Sequence, residues 1–432
     1  MLNFIMYFNL TIFILFTLCY SYQLYYVAYV LWSRKKPLPF ADAEVKLHRY
    51  AFVTSARNES NVIAELIESI QAQDYPKELI DIYVIADNCT DNTAEIARSC
   101  GAKVYERFNT QLIGKGYALD EFFGYIHREM PAHTYDGFFI FDADNLLDPQ
   151  YTRAMNRVFD QGYRVVTSYR NSRNYGSNWI SAGYALWFLR ESKYLSKARM
   201  LLGTSCAISG TGFLVSDDVI CANGGWPYHL LTEDIQFSIA NIIKGETIGY
   251  ADDAIIYDEQ PITFKQSWNQ RLRWSKGFYQ VLINYGTSLV KGIFKGSKQN
   301  NHPFACFDML MTIVPAVFLA LLSIVVNGLI LLTELNHVYV VQQIVDVTQQ
   351  AVLFSCFNFY FMLFVLGVIT TITEWEQIDA PVSKKVLYVF SFPIFILTYI
   401  PISFVALFKQ VQWTPIAHGL ASAKTSPVQQ KS

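Results

Sequence analysis

The chain has 432 residues, 52% of them apolar, 16% aromatic and 16% charged. That charged share lies well below the roughly 25% of soluble domains, which excludes an ordinary soluble protein, and a net charge of −2 carries no basic footprint for nucleic acid. The seven cysteines are scattered without a C-x-x-C pair; they read as reduced thiols, with neither a disulfide framework nor a zinc site.

Phe4 to Trp32 contains no charged side chain and is long enough to cross a hydrocarbon core of about 30 Å. No Lys or Arg precedes it and no small-residue cleavage site follows, so it reads as an anchor rather than a signal peptide. Arg34, Lys35 and Lys36 come directly after it. The positive-inside rule then leaves the N-terminus outside and the following residues in the cytoplasm, with 1–36 as the anchor unit.

Residues 45–260 read as the soluble domain. Arg49–Thr54, Ile80–Ala86, Ala102–Phe108 and Gly137–Phe141 are apolar runs suited to buried strands. Between them Asn58–Gln71, Asp91–Cys100 and Gly116–Arg128 have helical character; in the first, Val62, Ile63, Leu66, Ile67 and Ile70 share one face. This βα alternation predicts an α/β fold with a mostly parallel sheet and helices on both faces. Ligands of such sheets bind beyond the carboxyl ends of the strands. Arg57-Asn58-Glu59, Asp87-Asn88 and Asp142-Ala143-Asp144 all fall there.

Residues 261–303 form an amphipathic stretch at the membrane surface, and 304–410 a set of spanning or interfacial helices. Phe304–Thr333 is predicted to span, broken only by Asp308. Residues 334–349 hold no Lys or Arg and suit the outside; Ala351–Thr373 returns to a loop carrying Lys384 and Lys385. Val386–Phe408 contains Pro393 and Pro401, so it either spans or folds back in the interface. Folding back keeps the polar tail, 411–432 with Lys424 and Lys431, in the cytoplasm.

Each polar motif has two readings. Asp142 and Asp144, two apart at a strand end, point to one side and repel unless a cation sits between them; Mg²⁺ or Mn²⁺ with substrate phosphates meets that need, and a helix N-cap near Asp148-Pro149 is the other reading. Asp87 suits a nucleoside contact, while Asp91 or Asn92 caps the next helix. Lys115, within Gly114-Lys115-Gly116, is either a phosphate contact or a surface lysine in a turn. Asp234, in Thr232-Glu233-Asp234, is either a general base or a residue favoured by the helix dipole. Gln270, Arg271, Arg273 and Trp274 either meet lipid headgroups or hold a leaving diphosphate and a sugar ring.

Taken in order, N-E, Asp, D-x-D, T-E-D and Q-x-x-R-W followed by membrane helices, the chain resembles the processive branch of glycosyltransferase family 2, which includes cellulose, chitin, hyaluronan and poly-N-acetylglucosamine synthases. The likeness covers about Tyr50 to Trp274. It implies a GT-A-type domain in a cell membrane, facing the cytoplasm, that transfers glucose or N-acetylglucosamine from a UDP-sugar to a growing β-linked polysaccharide or, as the alternative, once to a membrane lipid. It further implies that Arg57 and Glu59 border the uridine, Asp87 binds the nucleoside, and Lys115 faces the donor. Asp142 then contacts the diphosphate, Asp144 holds the metal and Asp234 is the base. Gln270, Arg273 and Trp274 serve diphosphate and acceptor, and Ser209–Gly212 lines the acceptor side. Trp413–Gly419 is similar to a gating loop. One N-terminal and two or three C-terminal spans are few for a polymer channel, which leaves that task to a partner subunit or a homo-oligomer.

Overall fold

The computed structural model describes residues 2–33, 45–131, 133–295, 303–333 and 338–412. The basic cluster Arg34–Lys36, residues 334–337, the tail segment Trp413–Gly419, and Lys424 and Lys431 lie outside the described residues.

After helix α1 (Leu2–Trp32), strands and helices alternate: β1 (Tyr50–Ala56), α2 (Ile63–Gln71), β2 (Ile80–Asp87), α3 (Thr93–Ser99), β3 (Lys103–Arg107), α4 (Lys115–Glu129) and β4 (Gly137–Asp142). Helix α2 forms over the predicted stripe, and Ile63, Leu66, Ile67 and Ile70 are all buried against the sheet. The second half is less regular: β5 (Leu146–Leu147), α5 (Tyr151–Asp160), β6 (Val165–Ser172), α6 (Trp179–Arg190), α7 (Lys197–Leu201), β7 (Phe213–Ser216), α8 (Asp217–Ala222), α9 (Glu233–Lys244) and β8 (Ile248–Asp258). A single wider turn, Glu191–Ser196, joins α6 to α7.

The eight strands form one sheet in the order β3-β2-β1-β4-β7-β6-β8-β5. Four of the seven pairings are parallel; β7 runs antiparallel to β4 and β6, and β5 to β8. The sheet is therefore mixed but mostly parallel. From β1 the chain steps out to β2 and β3, then returns to β4 on the other side of β1. In sheets of this kind the ligand crevice lies at that reversal, beyond the carboxyl ends of the strands. Register brings its polar groups level: Ser55 pairs with Asp142, Ala56 with Ala86, and Asp87 with Arg107. Beneath them Phe52 stacks on Phe139 and Phe141, with ring centroids 4.6 and 5.8 Å apart.

The remaining helices are α10 (Phe264–Lys295), α11 (Pro303–Ile313), α12 (Pro315–Thr333), α13 (Val338–Thr373), α14 (Val382–Leu397) and α15 (Tyr399–Phe408). Among the described residues, three helical stretches are long and apolar enough to cross a membrane: Asn3–Trp32, Val341–Thr373 and Val382–Phe408. The predicted span Phe304–Thr333 is instead two helices, because Pro315 lacks an N–H and disfavours helical backbone at Val314. The polar stretch before Ala351 is already helical from Val338. Pro393 lies inside α14 without ending it, and the break in Val386–Phe408 falls at Thr398. There Arg271 of α10 donates to Phe395 O at 3.0 Å and to Thr398 Oγ1 at 2.6 Å, replacing partners lost at the break. Gly183 of α6 permits close contact, since a Cβ there would lie 2.4 Å from the Phe395 ring.

Asp308 is not exposed to lipid. It is fully buried, accepts from Arg199 Nε at 2.7 Å and from the Tyr22 and Tyr26 hydroxyls at 2.9 Å, and so ties α1 and α11 to α7.

Candidate active site

At the ends of β1 and β2 the chain turns through Asn58 and Asn88, with φ of 59° and 52°. Asparagine tolerates this left-handed backbone because its short amide bonds locally. Asn58 Oδ1 accepts from Thr90 N at 2.8 Å, and Asn88 Nδ2 donates to Asp87 Oδ1 at 2.9 Å. Asp87 is buried and pairs with Arg107 Nη1 at 2.7 Å. Arg107 also donates to Glu121 and to Leu112 O, each at 2.8 Å. Burial raises the Asp87 carboxyl above its usual range, opposed by Arg107 and then by Arg57. Arg57 and Glu59 sit half-buried on the same rim, where Glu59 N donates to Thr93 Oγ1 at 2.9 Å. Asp91 Oδ1 accepts from Thr93 N at 3.1 Å, while the N-cap position of α3 is Asn92, whose side chain makes no capping bond.

Beyond β4, Lys115 in the first turn of α4 reaches Asp142 Oδ1 at 2.5 Å and Gly210 O at 2.8 Å. Asp142 N donates to Thr211 Oγ1 at 2.9 Å, which places the Ser209–Gly212 segment against the D-x-D turn. A Cβ on Gly210 would lie 3.7 Å from Asp234 Oδ2. Lys115, Asp142, Gly210 and Asp234 thus share one small volume. Burial raises the Asp234 carboxyl, with Lys115 lowering it and Asp142 raising it. Burial and the adjacent Asp234 push Glu233 up to about 7, against the pull of Lys115 and Arg273.

Asp144 is buried, and its carboxylate accepts from Asn145 Nδ2 and Glu259 N, both at 3.3 Å. Close by, Asp258 at the end of β8 is also buried and is bonded by Arg170 Nε at 2.6 Å and Gln260 Nε2 at 2.5 Å. Burial raises Asp258 to about 6; Arg170 opposes the shift and Asp144 adds to it. Asp144, with Asp142 two residues before it and paired to Lys115, offers the oxygen donors that a hard divalent ion prefers.

Helix α10 closes the site. Gly277 lets it press on Thr232, whose side chain would lie 2.5 Å from a Cβ there. Trp274 packs edge-on against Tyr184 and Phe188, with centroids 5.8 and 6.3 Å apart, and Phe188 in turn lies 3.6 Å beneath the Arg170 guanidinium. Gln270 Oε1 and Arg273 Nε are buried without a hydrogen-bond partner among the described residues. Polar atoms left so commonly await a ligand or water. Arg271, the other arginine of the motif, faces away and serves the α14–α15 break.

The structure places Arg57, Glu59 and Asp87 at the ends of β1 and β2, Lys115, Asp142 and Asp234 around Gly210, Asp144 beside Asp258, and Gln270, Arg273 and Trp274 on α10. Sequence reading did not single out Arg107, Arg170 or Asp258. Asp258 carries the same signal as Asp87, an acidic residue ending an apolar strand, but Asp252 and Asp253 interrupt that strand.

Residues 48–277 match the family described as "Glycosyltransferase like family 2". The chain belongs to that family and is a glycosyltransferase. It is 23% identical over 398 residues to a β-monoglucosyldiacylglycerol synthase of Synechocystis, a match covering 89% of this chain and 78% of the relative. It is 26% identical over 280 residues to a poly-β-1,6-N-acetyl-D-glucosamine synthase of Staphylococcus aureus, covering 63% and 64%. Among solved structures, the mannosyltransferase PcManGT of Pyrobaculum calidifontis, in complex with GDP-Man and Mn²⁺, matches with a TM-score of 0.55 at 14% identity over 94% of this chain and 99% of that one. The fold is thus the GT-A type, joined here to helices of membrane length.

Proposed function

We propose that the protein transfers a sugar, glucose or N-acetylglucosamine, from a UDP-sugar to an acceptor hydroxyl at the membrane surface, with inversion at the anomeric carbon. The observation that carries this reading is Gly210, whose carbonyl holds Lys115 and where a Cβ would lie 3.7 Å from Asp234 Oδ2. A phosphate-binding lysine and a buried carboxylate thereby face one point from two sides. Asp234 takes the proton of the attacking hydroxyl, and burial, by raising its affinity for protons, suits it to act as a general base. Arg57 and Glu59 border the uridine, while Asp87, held by Arg107, receives the nucleoside. Lys115 and Arg273 balance the diphosphate charge as it departs. Gln270 and Trp274 support the acceptor side. Mg²⁺ or Mn²⁺, when bound by Asp142 and Asp144, supplies further screening of that charge.

For the acceptor, a membrane lipid is favoured. The similarity to the glucosyldiacylglycerol synthase runs through the membrane helices, whereas that to the staphylococcal polymer synthase spans a little under two thirds of either chain. A growing β-linked polysaccharide is the second reading and rests on the latter match. In both, the protein is multi-pass with its catalytic domain in the cytoplasm.

The test is radiolabel transfer from a panel of UDP-sugars by detergent-solubilised protein, with and without Mn²⁺, offering diacylglycerol or oligosaccharide, with Asp234→Asn as control. Metal-dependent transfer that the variant lacks is expected, giving a β-linked product. An α-linked product refutes the inverting mechanism, and product size separates glycolipid from polymer.

A further inference from the structure

Away from the crevice, three potential metal ligands from distant parts of the sequence converge. His127 lies in the last turn of α4, and Asp217 and Cys221 lie one turn apart on the same side of α8. His127 Nε2 is 3.1 Å from Asp217 Oδ1, and Cys221 Sγ is 3.8 Å from each of these atoms. His133 Nδ1 approaches the other Asp217 oxygen at 3.4 Å and Asp218 Oδ1 at 3.9 Å.

We propose that His127, Asp217 and Cys221 form a binding site for a borderline-soft divalent ion, Zn²⁺ by its chemistry, with water or His133 in the fourth position. The geometry is that of an assembled site. Zinc bonds of about 2.0–2.3 Å at a tetrahedral angle set ligand pairs roughly 3.3–3.6 Å apart, and the three separations here fall within a few tenths of an ångström of that. The Asp217 side chain is only 8% exposed, and among the described residues no lysine or arginine lies within salt-bridge distance of it. A buried carboxylate facing imidazole and thiol in place of a basic side chain suits a cation between them. His127 and Cys221 are partly open to solvent, so an ion has a path in. The mixed N, O and S donors select zinc over Mg²⁺ or Mn²⁺, which prefer the all-oxygen set of the crevice. Bound there, zinc joins the C-terminal end of α4 to the start of α8, at the opposite end of α4 from Lys115. Ligands 90 residues apart across two elements have no local spacing signature, which is why the cysteine pattern reads as metal-free.

The experiment uses metal-cleared full-length protein in detergent, titrated with Co²⁺ as a spectroscopic stand-in. A thiolate-to-cobalt charge-transfer band that saturates at a single ion per chain and is displaced by Zn²⁺ is expected; the oxygen ligands of the crevice produce no such band. Cys221→Ser and His127→Gln should each abolish it, while Asp144→Asn leaves it intact. Absence of the band in the parent protein, or its persistence in Cys221→Ser, overturns the proposal.

Discussion

Replacing Arg107 by methionine strands the Asp87 carboxylate at the end of β2. The two side chains are 1% and 3% exposed, so solvent screens the pair little. Removing one partner of such a pair costs about 3–5 kcal/mol. The reverse change, Asp87→Asn, is milder, because Arg107 keeps Glu121 and Leu112 O; the loss is that of a charged hydrogen bond, about 1.5–3 kcal/mol. Adding Asp87→Asn to Arg107→Met removes the stranded charge and should recover part of the deficit. The assay is urea unfolding of the detergent-solubilised chain, followed by tryptophan fluorescence, with UDP binding measured alongside. Arg107→Met should be the least stable of the three variants. Asp87→Asn should stay folded yet lose UDP affinity. If Asp87→Asn destabilises as much as Arg107→Met, the asymmetry drawn from the Arg107 contacts is wrong.

Two other predictions concern charge. Glu233 rises from its usual 4.5 to about 7 and so holds its proton to higher pH when folded; its contribution to stability is therefore greatest at low pH and falls as pH rises across that window. Activity should move the opposite way, climbing from acid to neutral pH as the Glu233–Asp234 pair loses its protons. Glu233→Gln, which removes the neighbouring acid, should shift this limb of the pH–rate profile to lower pH, and an unchanged profile would separate Glu233 from catalysis. Asp308→Leu leaves Arg199 buried and unpaired and frees Tyr22 and Tyr26, so the chain should lose about 3–5 kcal/mol. The double variant Asp308→Leu/Arg199→Met should be more stable than either single one; thermal unfolding of the three tests this, and additive losses would contradict a direct pair.

The sequence by itself determined the α/β alternation through β4, the membrane-length apolar stretches other than Phe304–Thr333, and the motif positions at strand ends. These are local properties. A buried strand needs an apolar run, an amphipathic helix needs a 3.6-residue stripe, and a loop at the carboxyl end can carry polar groups without harming the core. Only the tertiary structure decided which polar residues meet. Asp87 is held from 20 residues away by Arg107, Asp258 from 88 away by Arg170, and Asp308 from 109 away by Arg199. It also decided that Asp308 belongs to a buried pair rather than to a span, and that Arg271 and Arg273, two residues apart on one helix, face different tasks. A residue's partners depend on strand order and helix packing, which bring together positions that no local pattern relates. The buried carboxylates at the strand ends and the α4–α8 cluster take their surroundings from neighbours that are distant along the chain.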